Sequence, residues 1–350
     1  LPANGFLPGK LTTGWYRKMG NFIYKRILMF IPTVLLLSFI VFFIIQLPPG
    51  DYVTSYVSRM SAEGEIFTSQ DIARLREQYG LDKPWYIQYF SWMGKIIKDG
   101  DFGYSFSYNR PVWSVIMARL PLTVIVTLVI MLFTYLVSVP IGIYSALHQY
   151  SAGDFIFTTI GFLGVATPNF LLAIILMFLS FKYTGDPLIG LFSEDILREG
   201  LRLSNFGDFL KHLIIPVIVI GTSNTCGVIR IIRAQMLDEV SKQYILVARA
   251  KGVSERVITY KYCLRAALNP VVSGLSGALS NLFSGSTISA IVMNMAILGP
   301  VLYEALKNQD MYLAGTILLT QGFLVVVGTL LSDIALAWLD PRIRFTERSV

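Results

Sequence analysis

Six stretches of this chain, residues 27–46, 120–147, 155–181, 213–229, 266–303 and 311–332, hold no charged side chain. A helix needs about 20 mostly apolar residues to cross a hydrocarbon core roughly 30 Å thick. Five of the six reach that length. The fourth is short by count and extends through Arg230, whose guanidinium can snorkel to the interface. The fifth is too long for one crossing and divides into a helix over residues 271–294 and apolar chain through Leu298-Gly-Pro300 near the far surface. The fold class that follows is an all-α polytopic membrane protein with six transmembrane helices.

Only 15% of the 350 residues are charged, against 54% hydrophobic. A soluble domain carries about 25% charge, so a soluble fold is excluded. Lys25 and Arg26 precede the first stretch in the manner of a signal peptide. The stretch is too long for that and ends in Gln46-Leu-Pro-Pro-Gly-Asp51, without a small-residue cleavage site, so it is read as an uncleaved first span.

Basic residues orient the spans. Residues 1–26 hold Lys10, Arg17, Lys18, Lys25 and Arg26 with no acid. The connection between spans four and five holds Arg230, Arg233, Lys242, Arg249, Lys251, Arg256, Lys261 and Arg265 against three acids. The last ten residues, 341–350, add Arg342, Arg344 and Arg348. With six spans these segments share the cytoplasmic side, so both termini are expected there. The net charge of +7 is then a membrane-topology signal, not a sign of a nucleic-acid partner. Cys226 and Cys263 read as inert reduced thiols, and His148 and His212 are too far apart for a metal site.

Residues 48–119 form a loop too long to be a mere connector. It is expected to be helical over 68–79, with a Ser or Thr cap and Gly80 as the stop. A second amphipathic helix follows Asp82-Lys-Pro84 and runs over 85–98, before a turn at Gly100-Asp-Phe-Gly103. Such a loop serves either as a cap for an extracytoplasmic partner or as a solvated lid without one.

There is no phosphate-binding loop, no His-Glu-x-x-His and no dinucleotide fingerprint. Gly274-Leu-Ser-Gly-Ala278 approaches a nucleophile elbow but ends in Ala, with no His nearby in sequence. The pairs Gly274 with Ala278, Ser276 with Ser280, and Gly285 with Ser289 instead suit close helix packing. No catalytic residue is expected. Ser276, Asn281, Ser284 and Thr287 are polar on the same span and are candidates for lining a pathway. Asp333 lies near the cytoplasmic end of span six and is expected to form a structural ion pair with an Arg, which argues against proton coupling.

Residues 243–258 read as a helix, a break at Gly252, and a second helix capped by Ser254. Apolar and charged residues interleave around the glycine, which suits a knob docked in another protein's groove.

Ala248-Arg-Ala-Lys-Gly252 followed by Ser254-Glu-Arg256 resembles the cytoplasmic loop of ABC importer permeases of the oligopeptide, dipeptide and nickel family, which are binding-protein-dependent. Further tags share the likeness from Met19 onward. They are Ile31-Pro-Thr33, Pro49-Gly-Asp51, Leu75-Arg-Glu-Gln-Tyr-Gly-Leu-Asp82, Tyr86-Ile-Gln-Tyr89, Gly103-Tyr-Ser-Phe106, Arg110-Pro-Val112, Thr167-Pro-Asn-Phe170 and Leu339-Asp-Pro-Arg-Ile-Arg344. Leu246-Val-Ala248 stands where the broader pattern has Glu-Ala-Ala, and Tyr262-Cys-Leu-Arg265 where it has Ile-x-Leu-Pro. After span five, Asn294-Met-Ala-Ile-Leu-Gly-Pro300 replaces the aromatic-Pro-Gly-Leu-Gly segment, so the solute implied is an oligopeptide or an oligosaccharide-like one.

The resemblance implies a type I importer permease fold in a bacterial or archaeal inner membrane. Its parts would be a cytoplasmic tail (1–26), a first span (27–47), the extracytoplasmic loop (48–119), a five-helix core (120–340) with coupling loop 233–270, and a tail (341–350). The implied partners are a homologous second permease, two cytoplasmic ABC ATPases, a solute-binding protein and membrane lipid. ATP and Mg would sit on the ATPases, and none on this chain. Ala248, Arg249, Ala250, Lys251, Gly252, Ser254, Glu255 and Arg256 would couple to them. An ion-gradient-driven secondary transporter or channel is the alternative, and a membrane-embedded enzyme the third reading.

Overall fold

The computed structural model describes residues 9–47, 50–78, 80–193, 195–196 and 205–339. The helices are α1 (Gly9–Ile45), α2 (Tyr52–Ala62), α3 (Ser69–Gln78), α4 (Trp85–Asp99), α5 (Val112–Met117), α6 (Leu120–Leu147), α7 (Ala152–Ala166) and α8 (Asn169–Thr184). They continue as α9 (Phe206–Val240), α10 (Gln243–Ala250), α11 (Glu255–Val257), α12 (Leu264–Ser273), α13 (Leu275–Gly285), α14 (Thr287–Val292), α15 (Leu298–Lys307) and α16 (Met311–Leu339). A small antiparallel hairpin, β1 (Tyr104–Ser105) and β2 (Arg110–Pro111), pairs Tyr104 with Pro111 and Ser105 with Arg110.

Among the described residues four helical segments are long and apolar enough to cross a membrane: Arg26–Ile45, Val112–Leu147, Phe206–Val240 and Met311–Ala337. A fifth crossing is available if α7 and α8 count as one. The expected single helix over 155–181 is in fact this pair, bent by 102°. Pro168 is the cause. It has no N–H to donate, and it drives the preceding Thr167 into an extended conformation (φ −86°, ψ 124°).

The expected helix over 271–294 is also corrected. It arrives as α12, α13 and α14, interrupted at Gly274 and Ser286. Glycine is a poor helix former, and Pro270 one turn earlier removes another backbone donor. The apolar chain beyond it is helical as α15. The first helix begins at Gly9, well before residue 27, and α9 extends past Ile229 to Val240.

The loop helices start and stop where the sequence predicts. The Thr68 hydroxyl accepts from the Asp71 N–H (3.3 Å) while the Asp71 carboxylate accepts from the Thr68 N–H (3.0 Å), a reciprocal cap for α3. Gly100, at φ +65°, closes α4. Helix α2 and the hairpin are additions to the expected pair. Asp310, fully buried just before α16, gathers the hairpin onto that helix. It accepts from the Ser105 hydroxyl (2.7 Å), the Ser107 N–H (3.0 Å) and the Leu313 N–H (3.3 Å).

Side-chain contacts give the helix directions. Helices α6 and α9 run parallel: Thr134 reaches the Gly221 carbonyl (3.5 Å), Ser138 the Thr225 carbonyl (3.2 Å), and Gly142 faces Ile232. A Cβ at Gly221 would lie 2.6 Å from Phe133, and one at Gly142 2.8 Å from Ile232. Close packing therefore falls here; of the small-residue positions expected in 274–289, Gly274 touches no neighbouring helix, and the packing at Gly285 lies outside the described residues. Gly277 faces open space, and Gly274 meets only backbone carbonyls of its own turn.

Helices α1 and α16 run antiparallel, with Arg26 beside Asp333 (3.3 Å), Leu37 against Gly322 and Ile45 near Gly315. The ion pair expected of Asp333 is thus present. The α12–α14 run is antiparallel to α16, through Arg265 with Leu339, Val272 with Ser332 and Leu279 with Gly328. It is antiparallel to α9 as well, through Val271 with Ile232 and Leu282 with Ile220. Cys226 and Cys263 are both free and buried.

Candidate functional site: a knob and a cavity on one helix frame

Helix α10 ends in a sharp turn. Lys251 closes the helix, Gly252 takes φ +76°, and Val253 N–H returns to the Ala248 carbonyl (3.1 Å). A left-handed residue of this kind is cheap only for glycine. Arg249 then reaches across the turn to Glu255 in a two-pronged pair, Nε to Oε1 at 2.7 Å and Nη2 to Oε2 at 3.1 Å. That bond holds the Glu255 carboxyl below the usual carboxylate range. Ser254 has the extended backbone of a cap residue, but its hydroxyl makes no capping bond, contrary to expectation.

Ala248 is half-buried. Ala250, Lys251 and Arg256 are exposed, and neither Lys251 nor Arg256 has a partner among the described residues. Leu246 and Val247 are 55% and 52% exposed, a bare apolar patch on a short helix.

The opposite side of the knob is rooted. Ile245 and Ile258 are buried in one cluster with Ile143 of α6, Ile232 and Met236 of α9, and Ala267 and Val271 of α12. Glu239, also buried, accepts from the Tyr244 hydroxyl (2.5 Å) and pairs with Lys242. Burial first, and then the hydrogen bond to Glu239, pushes the Tyr244 phenol well above its usual range. At the foot of α7, Asp154 is almost fully buried and takes both prongs of Arg233 from α9, at 3.2 and 2.9 Å. Motion of the knob must therefore move the α6, α9 and α12 ends with it, because close-packed interiors transmit strain.

Between α6, α9 and α12–α13 lies a cavity of about 290 Å³. Thr134, Tyr135, Asn224, Gly227, Gly277 and Asn281 are in its wall, and no charged side chain is. Of the four polar residues expected on this span, Asn281 alone is among those lining it. Ser276 is half-buried outside it, and Thr287 packs against Gly299. The Ser284 side chain lies outside the described residues. Asn224 and Thr134 went unnoticed in the sequence. The signal for Asn224 was an amide inside an uncharged span, where an unpaired polar group is costly. Thr134 gave none.

Residues 138–345 match the family described as binding-protein-dependent transport system inner membrane component, and residues 19–127 match its N-terminal companion. The oligopeptide transport system permease protein AppB of Bacillus subtilis (strain 168) is 34% identical, covering 93% of this chain and 100% of its own length. The peptidoglycan transport system permease protein YejB of Agrobacterium fabrum is 31% identical, with 95% and 100% covered. The dipeptide transport system permease protein DppB of Alkalihalophilus pseudofirmus is 30% identical, with 92% and 98% covered. The chain thus belongs to the family of binding-protein-dependent transport system inner membrane components: it is a membrane permease subunit of the ABC-importer kind, not an enzyme.

Proposed function

We propose that this chain is one of two facing permease subunits in an ATP-driven importer, and that a cytoplasmic ATPase grips it at residues 246–256. The observation that carries this reading is the knob. It shows apolar Leu246 and Val247 and unpartnered Lys251 and Arg256 outward, while Ile245 and Ile258 root it in the ends of α6, α9 and α12. Nucleotide held with Mg on the ATPase pair would close that pair, and the knob would convert closure into helix tilt by shifting a two-state population.

Six crossings are supported by the helix directions. Parallel α6 and α9 need one return between them, which the bent α7–α8 pair supplies. Antiparallel α1 and α16 need an even total, which α12–α14 supplies as a broken fifth crossing ahead of α16. On this reading residues 48–119 lie opposite the knob, where a binding protein would deliver solute.

The cavity wall sets two asparagine amides and two hydroxyls among apolar side chains and glycines, with no charge, which fits an uncharged stretch of a peptide or an oligosaccharide-like chain. The names of the relatives, oligopeptide, dipeptide and peptidoglycan permeases, agree with that class. The test is purification from native membranes in mild detergent, with co-eluting chains identified by mass spectrometry. A second permease and one or two ATPases with phosphate-binding loops are expected. A lone chain that transports after reconstitution without nucleotide would replace this reading with a gradient-driven transporter.

A further inference from the structure

A second concavity, of about 720 Å³, opens beside the knob at the foot of α12 and α16. That is within the roughly 300–1,000 Å³ of small-molecule sites. Arg256, Lys261 and Arg265 bring three cations to it, and no acid is in its wall. Arg265 is committed by its Nε to the Leu339 carbonyl (2.9 Å). Arg256 and Lys261 have no partner among the described residues.

Val257, Tyr260, Lys261, Leu264, Arg265 and Leu268 line it from one continuous helical run, which passes through a π-helical turn at Ile258–Cys263 before α12. Along that run the chemistry changes in order. From the Arg256 end the wall runs through Val257, Tyr260, Lys261, Leu264 and Arg265, so cations and the phenol share its outer part. Beyond Arg265 only Leu268 and the Leu339 of α16 remain, where the two helices enter their apolar stretches. This is the sequence of environments through the headgroup zone of a bilayer, with a tyrosine at the interface. Basic pockets between spanning helices take the headgroups of acidic lipids.

We propose that this groove binds an anionic phospholipid, its phosphate among Arg256, Lys261 and Arg265 and the upper part of one acyl chain along Leu264, Leu268 and Leu339. The site rests on α12 and α16 crossing the membrane; it shares Arg256 with the ATPase-facing knob, while Lys261 and Arg265 lie beyond residues 246–256. The chain's own residues 340–350 are a poor occupant by charge, since Arg342, Arg344 and Arg348 outnumber Asp340 and Glu347. A soluble anion would leave the apolar half of the groove unused.

The experiment places the purified full chain in nanodiscs of equal phosphatidylglycerol and phosphatidylcholine, then counts lipids retained after detergent extraction by native mass spectrometry. Preferential retention of phosphatidylglycerol is expected. Lys261→Gln should weaken it about fivefold, and Arg256→Gln with Lys261→Gln about 30-fold, while Lys261→Arg retains it. Lys251→Gln, an exposed cation of the knob outside the groove, should change nothing. Equal retention of the two lipids by the unaltered chain overturns the proposal. So does an equal loss in Lys251→Gln, which would reduce the effect to general basic attraction. The Lys261 ammonium holds no ion pair among the described residues, so the single variant carries the test even if the double variant does not survive purification. Co-purification of ATPases and lipid retention are separate readouts, so one can fail without the other.

Discussion

At Gly252 a built Cβ meets nothing within 4 Å, so a side chain there would be strained by backbone conformation and not by crowding. Forcing an ordinary residue into the left-handed region costs about 1–2 kcal/mol. Gly252→Val should leave the protein in the membrane and reduce the uptake obtained per ATP hydrolysed in the reconstituted complex. Unchanged uptake per ATP would remove the knob from the coupling path. Asp154 makes the opposite case, a buried carboxylate whose charge is tolerated because Arg233 grips it twice. Removing one member of such a pair costs about 3–5 kcal/mol. Arg233→Ala should lower the melting temperature in detergent markedly, and adding Asp154→Asn should recover much of the loss. The left-handed break at Gly252 was legible in sequence, because a glycine between two helical patterns has few other roles. The Asp154–Arg233 pair was not, since its members are far apart in the chain.

Among the elements, α3 and α4 were legible because local chemistry ends them: Thr68, Gly80, Pro84 and Gly100 each act on their own turn. The bend between α7 and α8 was not, because hydropathy is continuous across Pro168 and only the missing donor marks the break. Nor were the glycines that pack, for whether Gly142 or Gly274 touches a neighbour depends on which helix lies alongside. The hairpin carries a pH prediction through Asp310. Burial raises its carboxyl above the usual value, and the donors from Ser105, Ser107 and Leu313 offset only part of that. A carboxyl raised in the folded state binds its proton longer than the unfolded chain does, so stability falls as pH rises above about 3.9 toward the folded value. Melting in detergent from pH 4 to pH 7 should show this component, and Asp310→Asn should flatten it. The rooted side of α10 is tested by Ile245→Ala, expected to cost about 2–5 kcal/mol as a large-to-small change in a filled core.

For the whole molecule, the alternation of helix directions predicts which faces meet which compartment. A cysteine at Ser241 and one at Glu65, both exposed, should react with a membrane-impermeant maleimide from opposite sides of sealed vesicles. Labelling of both from one side would break the six-crossing arrangement. The class of the molecule was legible from its uncharged stretches alone, while the directions in which its helices run against one another needed contacts between distant segments. The close approach of α6 and α9 has a mechanical consequence. Phe133 of one helix packs onto Gly221 of the other, Ile232 packs back onto Gly142, and Ser138 bonds one helix to the other's backbone. Such a seam cannot hinge, so the two helices form a single beam. Spin labels placed on α6 and α9 should keep one distance through the transport cycle, and the distances that change should be those from this beam to α1 and α16.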